Sequence, residues 1–134
     1  MSNKLSCAFC DWDEIKDRVI RQSRHFFVVA DKFPVVPGHI LLVTKRHIVS
    51  FFELNEEEWI NLQHLAKALI SEMNGDLFPD GTTGFNIGIN EGAAAGQTVP
   101  HLHIHFIPRS DGDVENTVGG IRNIFPNGDY TKDC

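Results

Sequence analysis

Three histidines, His101, His103 and His105, alternate with Leu102, Ile104 and Phe106. In an extended chain successive side chains point to opposite faces, so the three imidazoles share one face and the apolar residues share the other. A strand that needed only polarity at every second position would be served equally by Thr, Lys or Glu, and three imidazoles point instead to chemistry. Reach excludes one metal ion held by all three. Alternate strand residues stand ~6.6–6.8 Å apart and the outer pair ~13 Å, against metal–imidazole bonds of ~2.0–2.1 Å. At most two neighbours share an ion, which leaves at least one ring for other work. A neutral imidazole, with an ordinary pKa of ~6.5, is a competent nucleophile near neutral pH. Attack on phosphorus is therefore the leading reading of this face.

Two further groups could take part. Cys7-Ala8-Phe9-Cys10 is a Cys-x-x-Cys pair, which by itself is compatible with redox, structural or incidental roles. It gains weight where two more ligands can be found, because a structural zinc site closes with four. Asn90 to Thr98 is a run dominated by Gly and Ala, whose backbone amides can approach a ligand closely because few side chains stand in the way. His25 and His64 lack a partner pattern and are expected on the surface, and no role is expected for Cys134.

These residues need a scaffold. Phe26 to Ala30 and Ile40 to Val43 read as strands joined by a stiff loop, since Pro34, Pro37 and Gly38 prevent regular pairing between them. From Asn55 the period changes: Trp59, Leu62, Leu65, Ala66, Leu69, Ile70 and Met73 form the stripe of an amphipathic helix. Asn55 and Glu58 make a capping box, Glu56 and Glu57 suit the positive end of the dipole, and Asn74-Gly75 offers a left-handed exit. Phe85, Ile87 and Ile89 alternate as a half-buried strand, and His101 to Ile107 form another. From about Asp111 the chain is polar and irregular, with Gly119-Gly120 and Pro126, and no repeat or linker divides residues 1–134 into more than one domain.

Composition narrows the function classes. With 42% apolar and 22% charged residues over 134 positions, the chain is sized for one core. No run approaches the ~18 apolar residues of a membrane span, and the start shows no secretory pattern. Eighteen acidic against twelve basic residues give a formal charge of -6, which offers no overall attraction to polymeric nucleic acid or an anionic membrane. Three cysteines are too few for a disulfide framework and favour a reducing compartment, with the cytoplasm expected.

Asn90-Glu91-Gly92, followed by Gly96-Gln97-Thr98-Val99-Pro100 and the alternating histidines through Ile107, resembles the signature of the histidine-triad (HIT) family. The likeness continues upstream through Asp31 and Pro34-Val35-Val36-Pro37-Gly38-His39-Ile40-Leu41-Leu42-Val43, and covers roughly Phe9 to Arg109. The resemblance implies an α+β fold, an antiparallel sheet of about five strands with the long helix on one face, and pairing as two-fold homodimers. It implies nucleotidyl chemistry in which His103 attacks the α-phosphorus of a nucleotide, with His105 and His39 holding its ring and Gln97 donating to the phosphate or leaving group. Backbone amides of Gly96, Gln97, Thr98 and Val99 would neutralise oxygen charge without a catalytic Mg²⁺. Asn90 would lie near the nucleotide, Asp31 would accept from the ribose hydroxyls, and Phe9 and Val29 would line an apolar purine pocket.

One branch of the family, together with the distantly related galactose-1-phosphate uridylyltransferases, looks similar at the cysteines. It implies a structural zinc at Cys7, Cys10, His47 and His101, which agrees with the reach argument by leaving His103 clear of the ion. The loop motifs look closer to the fragile-histidine-triad type than to the phosphoramidase type, and the run from Gly119 to Pro126 resembles the ending of small bacterial members. The expected activity is hydrolysis of dinucleoside polyphosphates such as diadenosine tetraphosphate. The rivals are a purine nucleoside phosphoramidase, a zinc-stabilised nucleotide-binding module without turnover, and a metal-dependent enzyme of unrelated fold.

Overall fold

The apolar alternation along the chain resolves into a five-stranded, wholly antiparallel sheet in a computed structural model that describes residues 6–125. Pro126 and Cys134 lie outside the described residues. The strands are β1 (Val19–Gln22), β2 (Phe26–Ala30), β3 (Ile40–Thr44), β4 (Thr82–Gly88) and β5 (His103–Ser110), in the spatial order β1-β2-β3-β5-β4. A short helix α1 (Trp12–Ile15) precedes the sheet, and the long helix α2 (Glu56–Ser71) lies between β3 and β4 in sequence. The architecture is α+β, as the sequence predicts.

Strand β3 is buried along its whole length, because both of its faces are covered. On one face Phe26, Val28, Ile40, Leu42, Ile104 and Phe106 meet Leu65 and Leu69 of α2, with Leu62 and Ala66 at the margin. On the other face Val29, Leu41 and Val43 meet Cys7, Phe9 and Ile15. Antiparallel register places Leu41 opposite His105 and Val43 opposite His103, so those histidines share the face roofed by the N-terminal segment.

The capping box forms as predicted: Asn55 Oδ1 accepts from the Glu58 N–H and Glu58 Oε1 accepts from the Asn55 N–H, each at 2.9 Å. Glu58 is buried, and burial alone would raise its pKa. The Arg46 guanidinium, donating to the carboxylate at 2.8 and 3.2 Å, and the Asn55 N–H together outweigh that and hold it low. This contact also ties the segment before His47 to the start of α2.

Several local expectations change. The helix stripe is narrower than its period suggested: Trp59 and Ile70 remain 43% and 41% exposed at its edges. The helix ends at Ser71 and Gly75 has no left-handed φ, the last turn being closed by the Glu72 N–H bonding to Leu69 and Ile70 carbonyls. The strand expected around Phe85 begins earlier, at Thr82. Strand β1 was not foreseen, since four residues with only every second one partly covered carry a weak period-two signal. The last strand starts at His103, so His101 precedes it instead of continuing the alternating row. His25 is partly buried, with Nε2 3.6 Å from Glu57, while His64 is exposed as expected. No helix among the described residues is long and apolar enough to cross a membrane.

Candidate functional site

The imidazole of His101, fully buried just before β5, is oriented by the end of β3. Its Nε2 lies 2.7 Å from the Thr44 carbonyl, which can only accept, so the proton sits on Nε2 and the Nδ1 lone pair is left open. Three groups surround that lone pair: Cys7 Sγ at 3.3 Å, Cys10 Sγ at 3.5 Å and His47 Nδ1 at 3.2 Å. Cys10 Sγ is also 3.2 Å from His47 Nδ1, and all four ligand atoms lie within 4.8 Å of one another. Bonds of ~2.3 Å to sulfur and ~2.0–2.1 Å to nitrogen in a tetrahedron separate ligands by ~3.3–3.8 Å. The donor set and its spacing therefore fit a closed four-ligand metal site. Burial pushes the His101 pKa down to about 4, against the opposing pull of the Thr44 bond.

His103 is set by a different backbone group. Its Nδ1 lies 2.8 Å from the His101 carbonyl, again an acceptor only, so Nδ1 carries the proton and Nε2 presents a lone pair. The ring meets Phe9 edge-on at 5.1 Å between centroids and His105 at 5.2 Å. A carbonyl of the same strand entry and two edge contacts, one of them from His105, hold this ring, and His39 reaches it only through His105.

His105 and His39 pair with each other, at 2.9 Å between His39 Nε2 and His105 Nδ1. The Val35 N–H donates to His39 Nδ1 at 3.2 Å, which makes that nitrogen an acceptor and puts the His39 proton on Nε2. His105 Nδ1 then accepts, and the His105 proton lies on Nε2. Asp31 Oδ2 stands 3.3 Å from His39 Nε2 and 3.9 Å from His105 Nδ1, while Oδ1 accepts from the Phe33 N–H at 2.8 Å. Asp31, His39 and His105 also form a trio of ligand atoms close enough for an ion. The donor at His39 Nδ1 leaves no proton for a neutral ring bound through Nε2, so the trio is a hydrogen-bonded group. Burial lowers the pKa of both rings; the neighbouring imidazoles lower His105 further, and Asp31 opposes the shift in each.

The loop of small residues is tied from within. Gln97 Oε1 accepts from the Gly92 N–H at 2.9 Å, and its amide donates to Val49 O at 3.0 Å and Val99 O at 3.2 Å. Both amide hydrogens are thus turned to carbonyls that shape the loop, at the residue from which the sequence predicts a donor to phosphate. The N–H groups of Gly96 and Gln97 are likewise used on Ala93 O and Gly92 O, whereas those of Thr98 and Val99 make no hydrogen bond within the described residues. Glu91, which the sequence reading did not single out, accepts from the Phe51 N–H at 2.8 Å and fastens the loop to the chain after His47. Asn90 and Thr98 are exposed, Val99 is partly buried, and Val29 is fully buried in the core below the site. Gly88 lies opposite His105, and a Cβ there would meet nothing within 4 Å.

The depressed histidines make folding pH-dependent. Below the ordinary value of 6.5 the unfolded chain takes up protons that His39 and His105 refuse in the fold, so stability falls as pH drops through that value. The urea midpoint is expected to be lower at pH of about 5.5 than at about 7.5. An unchanged or higher midpoint in acid contradicts the assignment.

The sequence and fold are both similar to those of known proteins. A family model described as the HIT domain matches residues 13–112. The chain is 38% identical over 108 residues to a bis(5'-adenosyl)-triphosphatase of Dictyostelium discoideum, covering 73% of this chain and 68% of that protein. It is 37% identical over 106 residues to an uncharacterised HIT-like protein of Mycoplasma genitalium, covering 78% of this chain and 73% of that protein. A crystal structure of a zinc-bound histidine triad family protein from Mycobacterium smegmatis superposes with a TM-score of 0.72 at 29% identity, over 83% of this chain and 80% of the other. The chain belongs to the HIT domain family.

Proposed function

We propose that this chain hydrolyses dinucleoside polyphosphates, of the diadenosine tetraphosphate type, at the α-phosphorus through a nucleotide covalently held on His103. The observation that carries this reading is the 2.8 Å contact between His103 Nδ1 and the His101 carbonyl, which turns a lone pair on Nε2 outward. Likeness to a bis(5'-adenosyl)-triphosphatase supports the substrate class. Nε2 of His103 forms a nitrogen–phosphorus bond as the bond from the α-phosphorus to the bridging oxygen breaks. The proton on His105 Nε2 passes to that oxygen, which leaves as part of the nucleoside polyphosphate. Water, giving a proton back to His105, then cleaves the nitrogen–phosphorus bond and releases the nucleotide. The amides of Thr98 and Val99 are the donors available to the phosphate oxygens. Asn90, at the head of the loop, and Asp31 and Phe9 complete the nucleotide side of the reading, with Val29 supporting them from the core and Gly96 and Gln97 shaping the loop.

His103→Ala is expected to lower turnover by several orders of magnitude while the fold persists. Rapid acid-free quench of the native protein with labelled substrate is expected to trap a nucleotide on His103. Retention of more than a few per cent of activity by the variant, on dinucleoside polyphosphates and phosphoramidates alike, overturns the mechanism; faster turnover of adenosine phosphoramidate moves the assignment to the phosphoramidase class.

Zinc is the ion this reading places at Cys7, Cys10, His47 and His101, in a structural role. Elemental analysis of protein made with zinc present is expected to find about one ion per chain. Cys10→Ser is expected to reduce both metal content and Tm, because metal binding contributes directly to folding free energy. Metal-free protein of unchanged Tm counts against the site.

A second copy of the chain is the partner that fits the open side of the sheet. Strand β4 is an edge, and beside it Phe51, Trp59, Leu62, Ala66 and Ile87 line an apolar cavity of about 240 Å³. Trp59, Ile60 and Ile87 are 43%, 50% and 40% exposed. Light scattering is expected to give twice the chain mass, and Ile87→Lys to give the single chain; a monomeric native protein refutes this pairing.

A further inference from the structure

We propose that Phe9 is a positioning residue for His103, through which metal binding at the Cys7–Cys10 loop governs the orientation of the nucleophile. The proposal rests on the reading of His103 as that nucleophile. Phe9 sits between the two cysteines, in a turn closed by the Cys10 and Asp11 N–H groups bonding to the Cys7 carbonyl at 3.1 and 3.2 Å. The turn delivers an aromatic ring, 8% exposed, against two imidazoles of the triad. Its centroid is 5.8 Å from that of His101 with the planes at 89°, and 5.1 Å from that of His103 with the planes at 70°. Both are edge-to-face arrangements of the kind aromatic pairs favour.

A ring held only at Nδ1 keeps the freedom to tilt about that hydrogen bond. Phe9 restricts it from the metal loop, and His105 restricts it from the strand, at 5.2 Å and 64°. The metal site acts on His103 by two routes, since His101 supplies both a ligand nitrogen and the carbonyl at Nδ1. An ion linking Cys7 and Cys10 to His47 and His101 fixes the loop that carries Phe9 relative to the entry of β5. Phe9 thus does more than line an apolar wall: its place between Cys7 and Cys10 makes nucleophile geometry depend on whether the loop is closed.

The experiment uses intact metal-bound protein and compares Phe9→Ala, Phe9→Leu and Phe9→Tyr. In protein carrying 15N-labelled histidine, the His103 Nδ1–H proton is expected to give a sharp, exchange-protected signal. It should broaden or vanish in Phe9→Ala and Phe9→Leu, persist in Phe9→Tyr, and be lost from the native protein when a chelator removes the metal. The kcat is expected to fall about tenfold or more in Phe9→Leu. The loss in kcat should be equal on substrates with and without a purine base. A rise in KM confined to purine substrates, with kcat and the proton signal unaltered, assigns Phe9 to the base pocket alone and overturns the proposal. An unchanged signal in chelated, still folded protein overturns the metal link. Should Phe9→Ala fail to fold, Phe9→Leu keeps the apolar volume and decides the question. Failure of the underlying reading is distinguishable, because it leaves His103→Ala active, whereas failure of this proposal leaves the native protein forming its His103 adduct.

Discussion

A hydrogen bond of 2.8 Å from His103 Nδ1 to the carbonyl two residues earlier is the contact on which the site turns. It fixes the tautomer of the ring and the direction of its remaining lone pair, and everything around it holds the carbonyl still. That carbonyl belongs to His101, whose imidazole is buried, bonded at Nε2 to the Thr44 carbonyl at 2.7 Å and surrounded at Nδ1 by two sulfurs and a nitrogen. Neutral imidazoles in water exchange tautomers freely. In this fold an acceptor-only partner removes the choice, so the backbone of β3 and of the approach to β5 decides what each ring can do.

The same logic runs in the opposite sense at the other pair. A backbone donor, the Val35 N–H, meets His39 Nδ1 and sends the His39 proton to Nε2, and the 2.9 Å contact to His105 Nδ1 passes the preference on. One ring therefore keeps a lone pair at Nε2 and its neighbour a proton, although both are histidines on one strand face. The Pro34–Pro37 loop serves a purpose beyond joining β2 to β3: a stiff turn is needed to hold Val35 over His39. Asp31 lies against this pair and counters the burial that keeps both rings neutral.

Residues whose partners are close in sequence were legible, and those whose partners are distant were not. Strand β2 matches its expected bounds, and the Asn55–Glu58 box could be read from a spacing of three because helix geometry makes that spacing a contact. Gln97 could not be read in the same way: its amide donates to Val49, 48 residues away, and a Gly-Gln loop looks identical whether the side chain faces a phosphate or a carbonyl. Glu91 has the same character, since its bond to the Phe51 N–H exists only once the loop folds over the segment after His47. Strand β1 lacked signal for another reason. At an edge, with alternate residues only partly covered, a strand is held by pairing with β2 more than by an apolar face, and pairing leaves no mark in one sequence.

The place where the last strand begins reconciles the two demands made on the histidines. Had His101 continued the extended row, its ring would have stood beside that of His103 at a spacing of ~6.6–6.8 Å, on the same face of the sheet. The chain instead enters the extended conformation at His103, with the His101 N–H turned back to the Val99 carbonyl at 2.8 Å. That bend carries the His101 ring to the cysteines of the N-terminal loop and leaves its carbonyl within reach of His103. A repeat of three identical side chains is thus divided, by ending its regular geometry one pair early, into a ring turned to the cysteines, a ring whose Nε2 keeps a lone pair and a ring whose Nε2 carries a proton.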